Sequence, residues 1–232
     1  MRVFDKLGGP PKLDDFFQEY NHFLRGVDRY EFHLQELIAC YSRGDSPSAL
    51  RREFAFAVQK VIDTDRAILA LPGGRHVFAH LGEFAELFRD ALVLVAFGLC
   101  LRAPSTDIAA IVDRCDRGDP LLEAVTGAAA PGLQKPSGPA QFPGIYDGLY
   151  ATLTASAPER ERLIYDYLSV WYSEKMEGFT FKDAHLIPDT TDYVGYWCFE
   201  VAGVVAALNI NDATFADHPH YPRDLVASYR AG

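Results

Sequence analysis

Apolar positions recur at helical spacing along most of this chain, and they divide it into segments with readable starts and stops. In "SPSALRREFAFAVQKVIDTDRAILAL", Leu50, Phe54, Ala57, Val58, Val61, Ile62 and Leu69 share one face, with Ser46 at the N-cap and Pro47 at the first helical position. That pattern predicts an amphipathic helix. Upstream, "LDDFFQEYNHFLRGVDRYEFHLQELIACYSRG" predicts one long helix, or two joined near Gly26, ending at Gly44, a residue type favoured just past a helix C-terminus. "HVFAHLGEFAELFRDALVLVAFGLCL" predicts a further helix whose apolar second half suits a central position. Two shorter helices are predicted over "TDIAAIVDRC" and "PLLEAVTGAA".

The stretch "AAAPGLQKPSGPAQFPG" has no periodicity and reads as a linker or exposed loop. After it, "GIYDGLYATLTA" leads to "SAPERERLIYDYLSVWYSEKME", where Ser156 and Glu159 stand at capping-box spacing. Leu163, Ile164, Tyr167, Leu168 and Trp171 make the apolar stripe of that helix. "DYVGYWCFEVAGVVAALNIND" supplies the last long helix and "YPRDLVASYR" a short final one. No segment alternates with period two over strand length. The expected fold class is all-α: a compact bundle of six to nine helices, with an N-terminal part, 1–134, packed on a C-terminal part, 135–232.

Composition narrows the function. At 232 residues and 49% hydrophobic, the chain has the length and apolar content for a sizeable core, which excludes general disorder. Its N-terminus lacks the apolar segment of a secretory signal, and Ala91–Leu101 is too short to span a bilayer. Cys40, Cys100, Cys115 and Cys198 lie far apart without a CxxC pair, so neither a disulfide framework nor a zinc knuckle is suggested. A cytoplasmic location is the expectation, with no membrane partner. The net charge of −10 disfavours direct contact with nucleic acid or anionic membrane and favours a basic partner. Between Asp166 and His220 nine acidic residues face two basic ones. Solvation alone accounts for many such acidic faces.

Candidate chemistry is sparse. His76 and His80 are four apart with Glu83 one turn on, so a metal site is conceivable on a helix, although packing is the commoner role of such residues. A metal-dependent or small-molecule enzyme in a helical bundle is therefore the alternative reading. "EYNH", Glu19 to His22, matches the Glu-x-x-His of di-iron bundles, but the second copy is missing. His218 and His220 in "DHPHYP" lie among prolines and read as a turn. No glycine-rich phosphate loop, nucleophile elbow or cysteine–histidine context is present. No catalytic residue, metal ligand or cofactor is expected, and the chain reads as a binding protein.

Three motifs sharpen that reading: "YLSVWY" (Tyr167 to Tyr172), "YVGYWCFEVAGVVAALNIND" (Tyr193 to Asp212) and "HYPRDLV" (His220 to Val226). In this order they resemble the PoNi family of immunity proteins against PoNe-type polymorphic DNase toxins. "ACYSRGDSPSAL" and "RCDRGDPLLEAV" extend the likeness more loosely toward residue 15. His220 stands where the family often has Tyr, and Gly203 where Ala is usual.

The resemblance implies a non-enzymatic protein whose partner is a cognate nuclease toxin, in many cases delivered by type VI secretion. It also implies that Trp171, Tyr172, Tyr193, Gly195, Tyr196, Trp197, Glu200, Tyr221, Pro222 and Asp224 are scaffold. Glu200 sits in an otherwise apolar helix, where a carboxylate needs partners. Backbone groups, tyrosines or an arginine such as Arg223 are the expected ones. The acidic surface expected to meet the toxin comprises Glu174, Glu177, Asp183, Asp189, Asp192, Asp212 and Asp217. Such a surface would occupy a basic DNA cleft.

Overall fold

A computed structural model describes residues 30–71, 73–179, 181–187 and 194–232. The candidate residues Asp189, Asp192 and Tyr193, like Glu19 and His22, lie outside the described residues. Helix α1 is described over 30–42, followed by α2 (Pro47–Leu69), α3 (Ala85–Cys100), α4 (Ser105–Val112) and α5 (Pro120–Ala129). Then come α6 (Pro143–Thr154), α7 (Ala157–Val170), α8 (Phe199–Ala207) and α9 (Arg223–Ala231). A single π-helical turn, Trp171–Lys175, continues α7, and Ala184–Leu186 forms a 3₁₀ turn. The fold is all-α; among the described residues the β pairing is one isolated bridge between Phe78 and Cys115.

Local chemistry sets several boundaries. Ser46 Oγ accepts the Ala49 amide at 3.3 Å and Pro47 opens α2. Gly44 closes α1 with φ +82°, its amide bonded to the Tyr41 carbonyl. At α7 the capping box is not formed: Ser156 is the N-cap, yet its side chain makes no cap bond, and Pro158 removes one of the amides it would serve. Glu159 lies instead 3.9 Å from Arg162.

Three predicted boundaries are corrected. The helix expected from His76 begins only at Ala85, because 76–84 is a series of turns bridged to Cys115. "GIYDGLYATLT" is itself helical, as α6. The long helix expected from Asp192 shortens to Phe199–Ala207, since Gly195 at φ +106° and the extended 194–198 backbone are incompatible with a helix there.

Helix α3 is the axis of the core. Every residue from Leu87 to Cys100 is buried, and the helix packs chiefly against α8 and α5, with α4 and α9 completing its surround. Gly203 lets α8 approach closely: a Cβ there would lie 2.8 Å from Ala96 Cβ and 3.3 Å from Val125 Cγ1. Phe97 and Phe199 meet beside this crossing with ring centroids 4.5 Å apart. Full burial of a side chain of that size contributes about 2–3 kcal/mol.

Residues near position 135 are coil, but they are tied down. Asp119 caps α5 through Oδ1, which accepts the Leu121 amide at 2.8 Å, while Oδ2 accepts the Gln141 amide at 3.0 Å and the Tyr150 hydroxyl at 2.7 Å. Lys135 reaches the Cys115 carbonyl. One buried carboxylate thus joins α5, the coil and α6.

Candidate functional site

The extended segment 194–198 organises one face of the molecule. Ser42, at the end of α1, donates to the Val194 carbonyl, and the Trp197 indole donates to Ser42 Oγ at 2.8 Å. Gly195 is required between them: a Cβ would sit 2.6 Å from both Ser42 Oγ and Trp197 Nε1, on a backbone that side-chain-bearing residues rarely adopt. On the other edge, the Cys198 amide donates to the His220 carbonyl at 2.8 Å and His220 Nδ1 lies 3.0 Å from the Tyr196 carbonyl. Two sequence motifs separated by α8 are thereby laid side by side.

Between these anchors Tyr196 and Trp197 form a half-buried aromatic ridge. Tyr172 packs on Tyr196 at 4.6 Å and stacks on His220 at 5.5 Å, and Tyr41 meets Trp197 edge-on at 5.4 Å. On one flank lies a cleft of about 650 Å³ including its open mouth, lined by α1, the start of α3, Phe179 and Phe181. On the other flank two open depressions adjoin Trp197, one bordered by Ser42, Arg43 and His220, the next by Asp217, Arg223 and Asp224.

The acidic residues expected on the surface fall into distinct settings. Glu174, Glu177, Asp183 and Asp217 are exposed. Glu177 pairs with Lys182, whose ammonium lies 5.9 Å from the centre of the Tyr172 ring. Asp183, left-handed at φ +61°, accepts the Tyr172 hydroxyl at 2.6 Å. Burial and the Asp183 hydrogen bond raise Tyr172 above its usual range. Asp217 pairs with Arg223 at 2.7 Å. Asp212 is half-buried and engaged inside the fold, accepting Tyr221 at 2.8 Å and Arg230 at 2.6 Å. Burial opposes its ionisation, but those two donors outweigh it and hold Asp212 below the usual carboxylate range.

Of the motif residues, Trp171, Glu200, Tyr221 and Pro222 are buried; Tyr172, Gly195, Tyr196 and Trp197 are partly exposed; Asp224 is exposed. The expected Arg223 partner of Glu200 is corrected. Arg223 opens α9 on the surface, facing Asp217 and Asp224, whereas Glu200 is fully buried with Arg89 Nε 3.4 Å from its Oε1. Burial pushes Glu200 above the usual carboxylate range and Arg89 pulls it back.

Little here suits bond-breaking chemistry. Burial pushes the Cys100 and Cys115 thiols up to about 12, far from a reactive thiolate. His76 and His80 do not share a helical face: His76 lies 3.1 Å from buried Asp65, which also binds Arg114, while His80 is 3.2 Å from Glu83. Among the described residues no three His, Cys, Asp or Glu side chains are grouped to hold a metal ion.

The family described as PoNe immunity proteins (PoNi), C-terminal, matches residues 117–225. The C-terminal half of the chain belongs to that family. Its role is immunity against PoNe nuclease toxins, which makes a nuclease toxin the protein partner. The motif residues at the aromatic ridge, from Trp171 to Asp224, all fall within the PoNi match. No curated protein matches the sequence. Among solved structures, the crystal structure of protein PA2201 from Pseudomonas aeruginosa is similar, at 19% identity and a TM-score of 0.67 over 98% of this chain and 80% of that one. At that identity the likeness concerns the fold. No helix among the described residues is long and apolar enough to cross a membrane.

Residues outside the PoNi match complete the site and were not anticipated: Tyr30, Ser42, Arg89 and Asp90. Their readable sign was the adjacent pair Arg89-Asp90 inside an otherwise apolar helix. Nothing in sequence spacing connects Ser42 with Trp197, 155 residues away.

Proposed function

We propose that this chain is a cytoplasmic immunity protein that captures a PoNe-type DNase, delivered in competition between bacteria by a type VI secretion system, and covers its DNA cleft. The observation that carries the reading is the aromatic ridge of Tyr196 and Trp197, half-exposed and flanked by Glu177 and Asp183 on one side and Asp217 and Asp224 on the other. Half-buried tyrosine and tryptophan with an acidic rim have the composition of an interface centre facing a basic surface. A nuclease must attract a polyanion, so its cleft is basic. A protein of net charge −10 is drawn to the same field and needs no catalysis to block it.

Co-expression tests the proposal. Cells carrying a PoNe-type nuclease from the same genome survive with this protein and lose DNA integrity without it, and the purified pair elutes as one complex. Survival unchanged by the protein, with no complex at micromolar concentrations, would refute it.

A further inference from the structure

Two buried tyrosines come close to Glu200 without reaching it. Tyr146 on α6 and Tyr167 on α7 are 0% and 3% exposed, and neither hydroxyl has a hydrogen-bond partner among the described residues. Both carboxylate oxygens of Glu200, at 0% exposure on α8, are in the same condition. Arg89 Nε, 3.4 Å from Oε1, is out of line, and the neighbouring Cys198 thiol is a weak donor that leaves both oxygens short of a sound hydrogen bond. The three side chains are nevertheless near enough to act on one another: burial pushes both phenols up, and the Glu200 carboxylate raises each of them further.

Four polar atoms from three helices thus end in one sealed part of the core. Leaving a buried donor or acceptor unmet is costly, and native cores keep such atoms few, so several in one place call for a shared partner. Chemistry selects it. An ionised carboxylate only accepts, whereas a phenol both donates and accepts, so the partner must donate to Glu200 and take up a tyrosine as well. A metal cation donates no hydrogen bond and would be repelled by the Arg89 guanidinium already beside Glu200. With Glu200 and Tyr146 at zero exposure, the site has no mouth for a larger molecule. Water meets each condition: it is small and neutral, and when buried it makes about three hydrogen bonds to groups of this kind. We infer that internal water is a fixed part of this core, bridging the Glu200 carboxylate to the hydroxyls of Tyr146 and Tyr167. Water so placed ties α6 and α7 to the first turn of α8. That turn follows Cys198, whose amide bonds the His220 carbonyl, so the bridge also supports the segment that carries the aromatic ridge. The tyrosine donors expected for Glu200 are present, one water away.

Oxygen-17 magnetic relaxation dispersion counts waters held for longer than the protein takes to tumble, and it tests the bridge on the full chain. The wild type should show internal water, and the double variant Tyr146→Phe with Tyr167→Phe should lose the amplitude of at least one molecule. Each single phenylalanine variant removes one oxygen and keeps the ring, so the fold is retained, and it should melt several degrees below the wild type. A buried hydroxyl with nothing to bind behaves oppositely, because its removal leaves melting unchanged or raises it. Tyr165→Phe, on an exposed ring of the same helix, is the control and should change neither readout. A crystal structure with ordered water in hydrogen-bond range of both Glu200 and a phenol would support the bridge directly. Equal dispersion in the wild type and the double variant, single variants that melt at or above the wild type, or density placing a phenol oxygen directly on Glu200 would each overturn the inference.

Discussion

Arg89 Nε lies 3.4 Å from Glu200 Oε1, close enough for an ion pair but out of line for a hydrogen bond, and both groups are withdrawn from solvent. Buried pairs of this kind repay their desolvation poorly, but loss of one partner is severe. Arg89→Met should therefore destabilise the protein by about 3–5 kcal/mol, and Arg89→Met with Glu200→Leu should recover most of that loss. Urea midpoints of the four proteins in the cycle give the answer. A double variant whose loss equals the sum of the two single losses would show that the pair is not coupled.

Stability should fall as pH rises from mildly acidic to neutral. Burial raises Asp90 to about 7, against Arg89 and Tyr30, and raises Glu123 to about 7, against Lys135. A carboxyl whose folded value exceeds its unfolded one binds its proton more tightly when folded, so its contribution is complete below the unfolded value near 4 and fades as pH climbs through 7. Asp212 acts oppositely: held low, it stabilises above about 4 and its contribution is lost only in stronger acid. Urea midpoints should thus be higher at pH 5.5 than at pH 8, with the difference reduced in Asp90→Asn. A midpoint that rises toward pH 8 would contradict the assignment.

Gly203→Ala should cost about 1–3 kcal/mol, the usual range for overpacking a filled core. The added methyl meets Ala96 Cβ at 2.8 Å, and neither helix has a flexible side chain there to yield. Thermal melting reports the loss, and Gly203→Ala with Ala96→Gly should relieve it. An unchanged melting temperature in the single variant would mean that α3 and α8 separate freely.

Reversing Glu174, Glu177 and Asp217 to lysine should slow capture of the toxin while leaving the melting temperature nearly unchanged. All three are exposed, and an exposed ion pair such as Asp217–Arg223 contributes at most about 1 kcal/mol. Stopped-flow association should also slow as salt shortens the Debye length below about 8 Å. Association insensitive to both charge and salt would place the contact elsewhere on the surface.

The sequence by itself determined the helical class, most helix positions and the protein family, because helical periodicity, N-cap chemistry and short motifs are local properties of the chain. Ser46, Pro47 and Gly44 mark real helix ends for that reason. The failures are equally physical. His76 and His80 have helical spacing, yet Asp65 and the Cys115 bridge, remote in sequence, hold that segment in turns. Ser156 lost its capping bond beside Pro158. Asp212 carries the same charge as Asp217, but only packing put Tyr221 and Arg230 around the first and solvent around the second. The cleft is wholly tertiary: α1, α3, Phe179, Phe181 and the residues 194–196 before α8 together make its walls. Arg89 became the partner of Glu200 because α3 and α8 cross, a contact between residues 111 positions apart that no local spacing encodes.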